Sequence, residues 1–261
     1  MGKISARLWE LLCPVEAVRK QLKARRKLEK LQRSNSVEID PEDLQRVHLR
    51  GNGSNNRITI GRLQNGGGRL NILLHGDGNE ITIGEGLAIA DELLIVAGIE
   101  HANFGPVQDV HIHIGKQCGF ENVSIQTFNS HAQIYIGENC MFSYGINVYH
   151  TDGHPVLSVE TGKVLNKVRK LHIGNHVWVG AQVTINKNVT IGDDCILGWG
   201  AVVSRSFPEA NCAIAGNPAQ VVKRGITWDA NEARHGYIDN KETHHETHPH
   251  SRTCILSRAA I

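Results

Sequence analysis

The feature that most constrains this chain is a series of small aliphatic residues at every sixth position between Ile173 and Val203. The leading series is Ile173, Val179, Ile185, Ile191, Leu197 and Val203, and a second series follows four positions later at Val177, Val183, Val189, Cys195 and Ala201. Six is a multiple of the strand period of two but not of the helical 3.6, so only extended chain keeps such a series on one face. One turn of this chain cannot bury its apolar face alone, whereas stacked turns share one core. The sequence therefore predicts an all-β solenoid of hexapeptide repeats, and not an antiparallel sandwich, which would need turns at irregular spacing.

The repeat pattern also predicts the domain boundaries. Signatures of two β-formers and a glycine, such as Ile58 to Gly61 and Ile134 to Gly137, precede the clean repeats, so we expect the solenoid to occupy residues 47–224. Its register breaks most widely at 149–170, where a polar and basic segment must leave the wall and return. Loops that project from a rigid scaffold often carry chemistry, so this segment is the predicted catalytic loop.

Both ends of the chain differ in composition from the solenoid. Residues 1–36 contain ten Lys or Arg between positions 3 and 33 and leucines at helical spacing, which predicts a basic amphipathic helix. Two interpretations stay open: the helix packs on the solenoid end or a neighbouring subunit, or residues 1–34 contact an anionic membrane surface or glycan. The His-rich segment 229–261 is expected to be disordered, without a functional metal site.

Composition narrows the function classes. A formal net charge of +2 gives no reason to expect nucleic acid, and no run of 18 apolar residues is present to span a membrane. The first residues make a poor secretory signal because Arg7 and Glu10 interrupt their apolar part. Cys118, Cys140 and Cys195 occupy the small buried positions of the repeats, so we expect reduced core thiols in a cytoplasmic protein.

The loop offers one side chain suited to proton transfer. His154 is followed by Pro155 and preceded by Asp152 and Gly153. An imidazole is a good general base for an alcohol if a partner fixes its tautomer, and Asp152 or a backbone carbonyl would serve as that partner. The alternative is an ordinary solvated loop histidine.

Four segments together point to a family: the hexad run, the Gly153-His154-Pro155 sequence, the coil from Ile173 to Gly180, and the closing segment from Ala215 to Lys223. Together they resemble the left-handed β-helix acyltransferases, in particular the galactoside and maltose O-acetyltransferases and the capsule O-acetyltransferases that modify sialic acid polymers. The resemblance implies a left-handed coil, against the usual right-handed crossover. It also implies a homotrimer with sites between adjacent prisms, acetyl-CoA as co-substrate and a saccharide acceptor, without a metal.

The resemblance assigns roles to particular residues. It makes His154 the general base that takes the proton of a substrate hydroxyl as the oxygen attacks acetyl-CoA directly. It places Trp178 beside the reacting groups, although an outward wall residue is the alternative, and a backbone N–H near Ala181 at the oxyanion. The positions that match the coenzyme A groove are Ala181, Trp199, Ser204, Arg205 and Lys223. Trp199 departs from the small residue that the family usually has there, whereas Arg205 and Lys223 suit phosphates.

The acceptor residues of the galactoside enzymes do not carry over, because Val123 and His131 stand at the corresponding positions. His131, His150 and the basic stretch from Lys163 to Lys170 favour a negatively charged glycan instead. Two other classes remain: a γ-type carbonic anhydrase with zinc on His131, His150 and His154, and a non-catalytic solenoid scaffold. Stoichiometric zinc in untagged protein would favour the first. Loss of transfer in His154→Ala with coenzyme A binding retained would argue against the second.

Overall fold

The computed structural model describes residues 25–26, 28–29, 32–99 and 105–231. Residues 25, 26, 28 and 29 are helical, and the other residues of the predicted helix up to 31 lie outside the described part. The predicted tail 229–261 lies outside it from residue 232 onwards. No helix within the described ranges is long and apolar enough to cross a membrane.

The regular structure of the described residues is almost entirely extended, with one short 3-10 helix at Pro41–Asp43. The strands are β1 (Ser36–Ile39), β2 (Val47–Asn52), β3 (Arg57–Ile60), β4 (Arg69–Asp77), β5 (Glu80–Ile83), β6 (Ala88–Ala97), β7 (Val107–Gln108), β8 (His111–Ile114), β9 (Gly119–Thr127), β10 (Gln133–Ile136), β11 (Met141–Tyr149), β12 (Lys170–Ile173), β13 (Trp178–Val179), β14 (Thr184–Asn186), β15 (Thr190–Ile191), β16 (Ile196–Leu197), β17 (Val202–Val203), β18 (Cys212–Ala215) and β19 (Gln220–Arg224).

These strands stack into two sheets in which each strand pairs with strands of the coils before and after it. The seven-stranded sheet has the order β1-β3-β5-β8-β10-β12-β15, and a twelve-stranded sheet contains the remaining strands. The paired neighbours are parallel except for β18 and β19, whose antiparallel ladder closes the last coil. In the late coils the register partners lie 18 residues apart, as Trp178 and Ile196 do. The all-β class and the parallel stacking are therefore confirmed, whereas the left-handed sense of the coil stays a prediction.

Each 18-residue coil turns three times, because residues with φ near +60° recur at every sixth position. His176, Gln182, Asn188 and Asp194 all have φ between 53° and 59°, and Gly200 continues the series at 68°. Glycine, asparagine, aspartate and histidine tolerate this left-handed conformation better than most residues, which explains why such residue types recur at the turns. The N–H of four of these five residues bonds a carbonyl of the preceding coil, as His176 N does with Glu138 O at 2.8 Å, and Asn188 is the exception. The coil therefore has three sides and three corners.

We name the corners by what they carry. The loop corner precedes the strands of the seven-stranded sheet and contains Asn55, Gly78, Asp109, His131 and Asn188. The strap corner follows those strands and contains Gln117, Asn139, His176, Asp194 and Asn211. The Trp199 corner lies between them and contains Gly145, Gln182 and Gly200.

The interior is a narrow column of aliphatic side chains. The six residues of the leading series are all fully buried, as the hexad pattern predicted. Burying one such side chain contributes about 1.5–3 kcal/mol. Because each coil buries several of them, successive coils add similar amounts to the stability of the fold. Cys118, Cys140 and Cys195 are buried and not disulfide-bonded, as expected. A hydrogen bond with Cys140 and burial raise the pKa of the Cys118 thiol well above its ordinary value, so it stays protonated.

The first coil begins earlier than predicted. Strand β1 already pairs in parallel with β3, so the stacked region starts at Ser36 and not at residue 47. The four-residue strand presents only Val37 and the partly buried Ile39 to the core, and so short a run shows no six-residue step. Periodicity therefore could not identify this strand.

Candidate functional site

The segment from 150 to 169 projects from the loop corner between β11 and β12. Its outer part is a small hairpin, in which Ser158 N donates to Lys163 O at 2.9 Å and Leu165 N donates to Val156 O at 2.8 Å. Its tip is solvent-exposed, with Val159 at 104% of the reference area. The loop ordered by these bonds agrees with the predicted segment 149–170 to within one residue at each end.

His154 lies exposed at the base of this hairpin, beside a polar network. Asp152 Oδ2 contacts Lys187 Nζ at 2.9 Å and accepts a hydrogen bond from Asn166 Nδ2 at 2.6 Å. The same Asn166 Nδ2 donates to the His154 carbonyl at 2.9 Å. Burial opposes ionisation of Asp152, but the bonds from Lys187 and Asn166 outweigh it and lower the pKa of this carboxyl. Asp152 thus supports the backbone around His154, while its role in fixing the imidazole tautomer stays a prediction.

His150 lies where β11 passes into the loop, and it is 0% exposed. The prediction that His150 faces a negatively charged acceptor is therefore wrong, because its side chain points into the protein. Its Nε2 lies 3.3 Å from Arg169 O, and because a carbonyl only accepts, Nε2 carries the proton of the neutral ring. Its Nδ1 has no partner among the described residues. Burial lowers the pKa of His150 to about 4.

A strap formed by residues 226–228 crosses the strap corner over three successive coils. Asn211 Nδ2 donates to Ile226 O at 3.1 Å, and Thr227 Oγ1 donates to Asp194 at 3.2 Å. Trp228 Nε1 then donates to His176 O at 2.8 Å, and the two rings stack with centroids 4.4 Å apart. The strap therefore fastens one corner residue in each of the three coils.

Trp178 lies on β13 with its ring partly exposed on the outer face, as expected of an outward hexad position. Its ring centroid lies 6.1 Å from that of Trp228, with the planes tilted by 44°. Because Trp228 belongs to the strap, a segment outside the repeats supports the predicted active-site tryptophan. Sequence spacing does not identify Trp228, since this residue follows the last repeat and no repeat connects it to Trp178.

At the Trp199 corner two of the predicted cofactor residues, Ala181 and Trp199, lie at an aromatic pair. Tyr144 and Trp199 meet edge to face with centroids 5.6 Å apart. Ala181 belongs to the coil between them, because Gln182 N bonds Tyr144 O and Gly200 N bonds Ala181 O. Ala181 is 4% exposed, whereas Trp199 is 69% exposed. A ligand would therefore reach the Trp199 ring more easily than the Ala181 side chain.

The remaining predicted cofactor residues are exposed and unobstructed by the chain's own core. Ser204 and Arg205 follow β17, and the Arg205 guanidinium lies 5.2 Å from the centre of the Phe207 ring. Lys223 lies on β19 opposite Ala213, in the row of register partners that also contains Trp178. Both cations are free to approach an anionic ligand from solvent.

One chain does not bring the predicted site residues together. His154 lies at the loop corner, whereas Trp178 lies on the side between the strap corner and the Trp199 corner. The sides of a convex prism face away from each other, so these side chains do not converge on one small molecule within one chain. Lys187 and Asn166, which join the His154 network, were also missed. Lys187 could have been found from the six-residue spacing, because that spacing places it at the loop corner, next to the segment that carries His154.

The histidines proposed for the zinc alternative are not grouped within the chain. His131 lies at the loop corner and its Nδ1 pairs with Asp109 at 3.0 Å, while His150 is buried. Across the ranges that the structure describes, no group of three or more His, Cys, Asp or Glu side chains is arranged to hold a metal ion.

Comparison with known proteins shows what this chain is similar to. Residues 170–205 match the sequence family described as bacterial transferase hexapeptide (six repeats). The chain is 30% identical over 124 residues to a polysialic acid O-acetyltransferase of Escherichia coli O1:K1 / APEC, covering 48% of this chain and 38% of the relative. It is 34% identical over 155 residues to the polysialic acid O-acetyltransferase of Neisseria meningitidis, covering 58% and 66%. It is 32% identical over 115 residues to the galactoside O-acetyltransferase of Escherichia coli (strain K12), covering 43% and 54%. The matches thus span less than two thirds of each of these relatives.

Two solved structures share the fold over most of the chain. The polySia-specific acetyltransferase NeuO aligns with a TM-score of 0.56 and 25% identity, covering 75% of this chain and 94% of that one. The polysialic acid O-acetyltransferase OatWY aligns with a TM-score of 0.56 and 27% identity, covering 82% and 90%. The resemblance to the hexapeptide-repeat O-acetyltransferases that the sequence motifs indicated is therefore confirmed. The named relatives and neighbours belong to the enzyme class that the sequence predicted.

Proposed function

We propose that this protein is an acetyl-CoA-dependent O-acetyltransferase that acts on a saccharide, in particular a capsular or other surface polysaccharide, with His154 as general base. The observation that carries the proposal is the 34% identity over 155 residues to a polysialic acid O-acetyltransferase. The projecting loop supports it, because it holds His154 exposed at the base of an ordered hairpin. The proposal includes a left-handed coil and a homotrimer, as the resemblance implies.

The reaction divides into a proton transfer and an acyl transfer. A nitrogen of His154 takes the proton of the acceptor hydroxyl while that oxygen attacks the thioester carbonyl, and the resulting oxyanion accepts a hydrogen bond from a backbone N–H near Ala181. The C–S bond then breaks, and the departing thiolate takes the proton from the imidazolium. The sugar gains an acetyl ester, coenzyme A leaves as the thiol, and no acyl-enzyme forms.

The residues present fit coenzyme A at its charged end. Arg205 and Lys223 are exposed cations, which suit the phosphates; because Arg205 lies at the loop corner and Lys223 in the row of Trp178, they would meet one coenzyme A only in a groove between two chains. The exposed Trp199 ring offers a flat apolar surface at the same end of the coil series. Because Ala181 is nearly buried beside the Tyr144 and Trp199 pair, the pantetheine must pass along this pair to reach the Ala181 N–H.

The spread of the residues over two sides supports a site that two chains share. His154 projects on its loop beyond the prism wall, so it reaches outwards, whereas Trp178 lies flat on another side. A second copy beside the first brings the loop of one chain against the Trp178 side of its neighbour. In a closed ring of three chains, every loop contacts the Trp178 side of a neighbour and no such surface is left unpaired, which is the advantage of cyclic symmetry.

Charge at the loop corner supports an anionic acceptor. The corner and its loop carry the exposed cations Lys163, Lys167, Arg169 and Lys170, and His131 lies on the preceding coil. Fewer carboxylates are interspersed, and two of these are already paired, Asp109 with His131 and Asp152 with Lys187. A glycan with a carboxylate on each sugar would gain favourable contacts here.

The test is incubation with labelled acetyl-CoA and a panel of charged and neutral glycans, read by mass spectrometry. The proposal expects a mass increase of one acetyl group on a saccharide, with sialylated acceptors favoured over neutral ones. Equal turnover of both would reject the anionic acceptor. Absence of transfer to the whole panel, with acetyl-CoA binding also absent, would reject the function itself.

A further inference from the structure

We infer that the corner formed by Lys187 and Asn188 is a clamp that grips both ends of loop 150–169 and so positions His154. These two residues belong to the coil that follows the loop, and they touch it at its start and at its end. The consequence for catalysis rests on the proposed function, because it matters only if His154 is the base. The physical clamp itself does not depend on the reaction.

Lys187 holds the start of the loop. Its side chain is only 17% exposed, and its Nζ lies 2.9 Å from Asp152 Oδ2. Removing an ammonium from water is unfavourable unless it is paired, so this contact gives the loop one preferred position against the prism. Asp152 passes the restraint to His154 through Asn166, whose Nδ2 bonds both Asp152 and the His154 carbonyl.

Asn188 holds the end of the loop. Its Nδ2 donates to Lys167 O at 2.8 Å, and its Oδ1 accepts from Arg169 N at 2.6 Å. The residue has φ 59°, the left-handed conformation of every corner of the coil, and asparagine combines tolerance of that conformation with an amide that donates and accepts. Asn188 therefore satisfies two backbone groups in a segment that has no strand partner.

The loop needs such a clamp because its own hydrogen bonds lie farther out. The hairpin bonds join residues 156–165 to each other and do not connect them to the prism. At the neck, the described contacts to the prism come from the Lys187 and Asn188 side chains, from Arg169 O, which bonds His150 Nε2 and Gln133 N, and from the packing of Val168 against the core. A general base that is displaced by about 1 Å loses on the order of 100-fold in rate, so the neck has to be rigid.

The test uses variants that leave the coil intact. Lys187→Met removes the charge but keeps the apolar stem, Lys187→Arg restores a cation, and Asn188→Gly removes both amide bonds while favouring the same φ. Asn139→Gly is the matched control, since Asn139 has φ 56° at the strap corner, away from the loop. Thermal unfolding of each variant checks that the coil is folded.

Two measurements are made on the full chain. In limited trypsinolysis, mass spectrometry follows cleavage after Lys163 and Lys167. We expect it to accelerate at least tenfold in Lys187→Met and Asn188→Gly, and to stay at the wild-type rate in Lys187→Arg and Asn139→Gly. In acetyl-transfer assays, kcat should fall 10–100-fold in the same two variants, with the KM for acetyl-CoA changed less than threefold.

Unchanged cleavage in both variants would overturn the clamp. Faster cleavage with unchanged kcat would overturn the positioning of His154 while leaving a structural contact. A loss confined to KM would place these residues in ligand binding and also contradict the inference. If the wild-type protein transfers no acetyl group, the proposed function fails, and the proteolysis result alone decides whether the clamp exists.

Discussion

The coils from 170 to 205 and the loop from 150 to 169 are held in place by different physical means. In the coils, each short strand has parallel partners on neighbouring coils and a fully buried aliphatic residue, so every coil repeats the same restraints. In the loop most side chains are exposed, and its neck depends on a few polar side chains such as Lys187 and Asn188. The contacts that restrain the coils are therefore spread over many residues, whereas those that restrain the loop come from a few residues at its neck.

This difference indicates that substitutions at the loop neck reduce activity more than substitutions in the coils do. Losing one restraint in the coils lowers the free energy of unfolding but leaves many equal restraints in place. Losing one at the loop neck frees the segment that carries His154, with little effect on global stability, because local opening costs less where few contacts are buried. Stability and activity should thus respond to different residues.

The largest expected effect is on activity in His154→Ala. Removing a general base typically costs 10²–10⁴-fold, so we expect kcat for acetyl transfer to fall by about that factor with the unfolding midpoint unchanged. Val159→Ala, at the fully exposed tip of the same loop, is the control and should keep wild-type activity. A His154→Ala enzyme within threefold of wild type would remove His154 from the mechanism.

The next effect tests the coils. Ile185 is fully buried in the leading series, so Ile185→Ala should lower the free energy of unfolding by about 2–5 kcal/mol through lost burial and an added cavity. Urea denaturation measures the change. Trypsin cleavage after Lys163 should not accelerate while the protein stays folded. Accelerated cleavage would show that the loop and the coil are one cooperative unit.

The junction between the two regions should respond to pH. Because burial holds the pKa of His150 near 4 against an ordinary 6.5, the unfolded chain binds a proton in this window that the folded chain does not. The contribution of His150 to the free energy of unfolding is therefore fully present above pH 6.5. It is lost as the pH falls towards 4, by about 2 kcal/mol between pH 7 and 5. Urea unfolding at both values should show a smaller loss in His150→Asn. Equal losses in both proteins would mean that His150 does not cause the dependence.

The smallest effect is expected at the strap. Trp228→Ala removes the stack on His176 and the Nε1 bond to its carbonyl, so we expect a loss of about 1 kcal/mol in the free energy of unfolding. Trp228→Phe should recover the stacking part. Loop cleavage should be unchanged in both variants, since the strap binds another corner. If Trp228→Ala lowered the free energy of unfolding as much as Ile185→Ala does, the strap would stabilise the fold as strongly as a core residue, contrary to this expectation.

Much of the fold followed from spacing, while the site followed only in part. Ile173 and its hexad partners identified the stacked coils, because each inward position repeats. Strand β1 escaped detection, since its four residues are too few to show a six-residue period. The predicted loop was found because it interrupts the register, but the burial of His150 was not foreseen, because nothing in a polar sequence shows on which side of the wall a histidine lies.

The sequence by itself determined the repeating extended chain, its apolar interior and the place where the loop leaves, since these depend on residue type and local period alone. The tertiary structure alone decided which distant residues meet. Lys187 and Asp152 are 35 positions apart, Trp228 and Trp178 are 50 positions apart, and both pairs are neighbours only because the loop and the strap fold back onto stacked coils to which no repeat spacing connects them. The local pattern determines which residues of a coil point inwards. The number of residues in each insertion determines which residues of neighbouring coils are aligned.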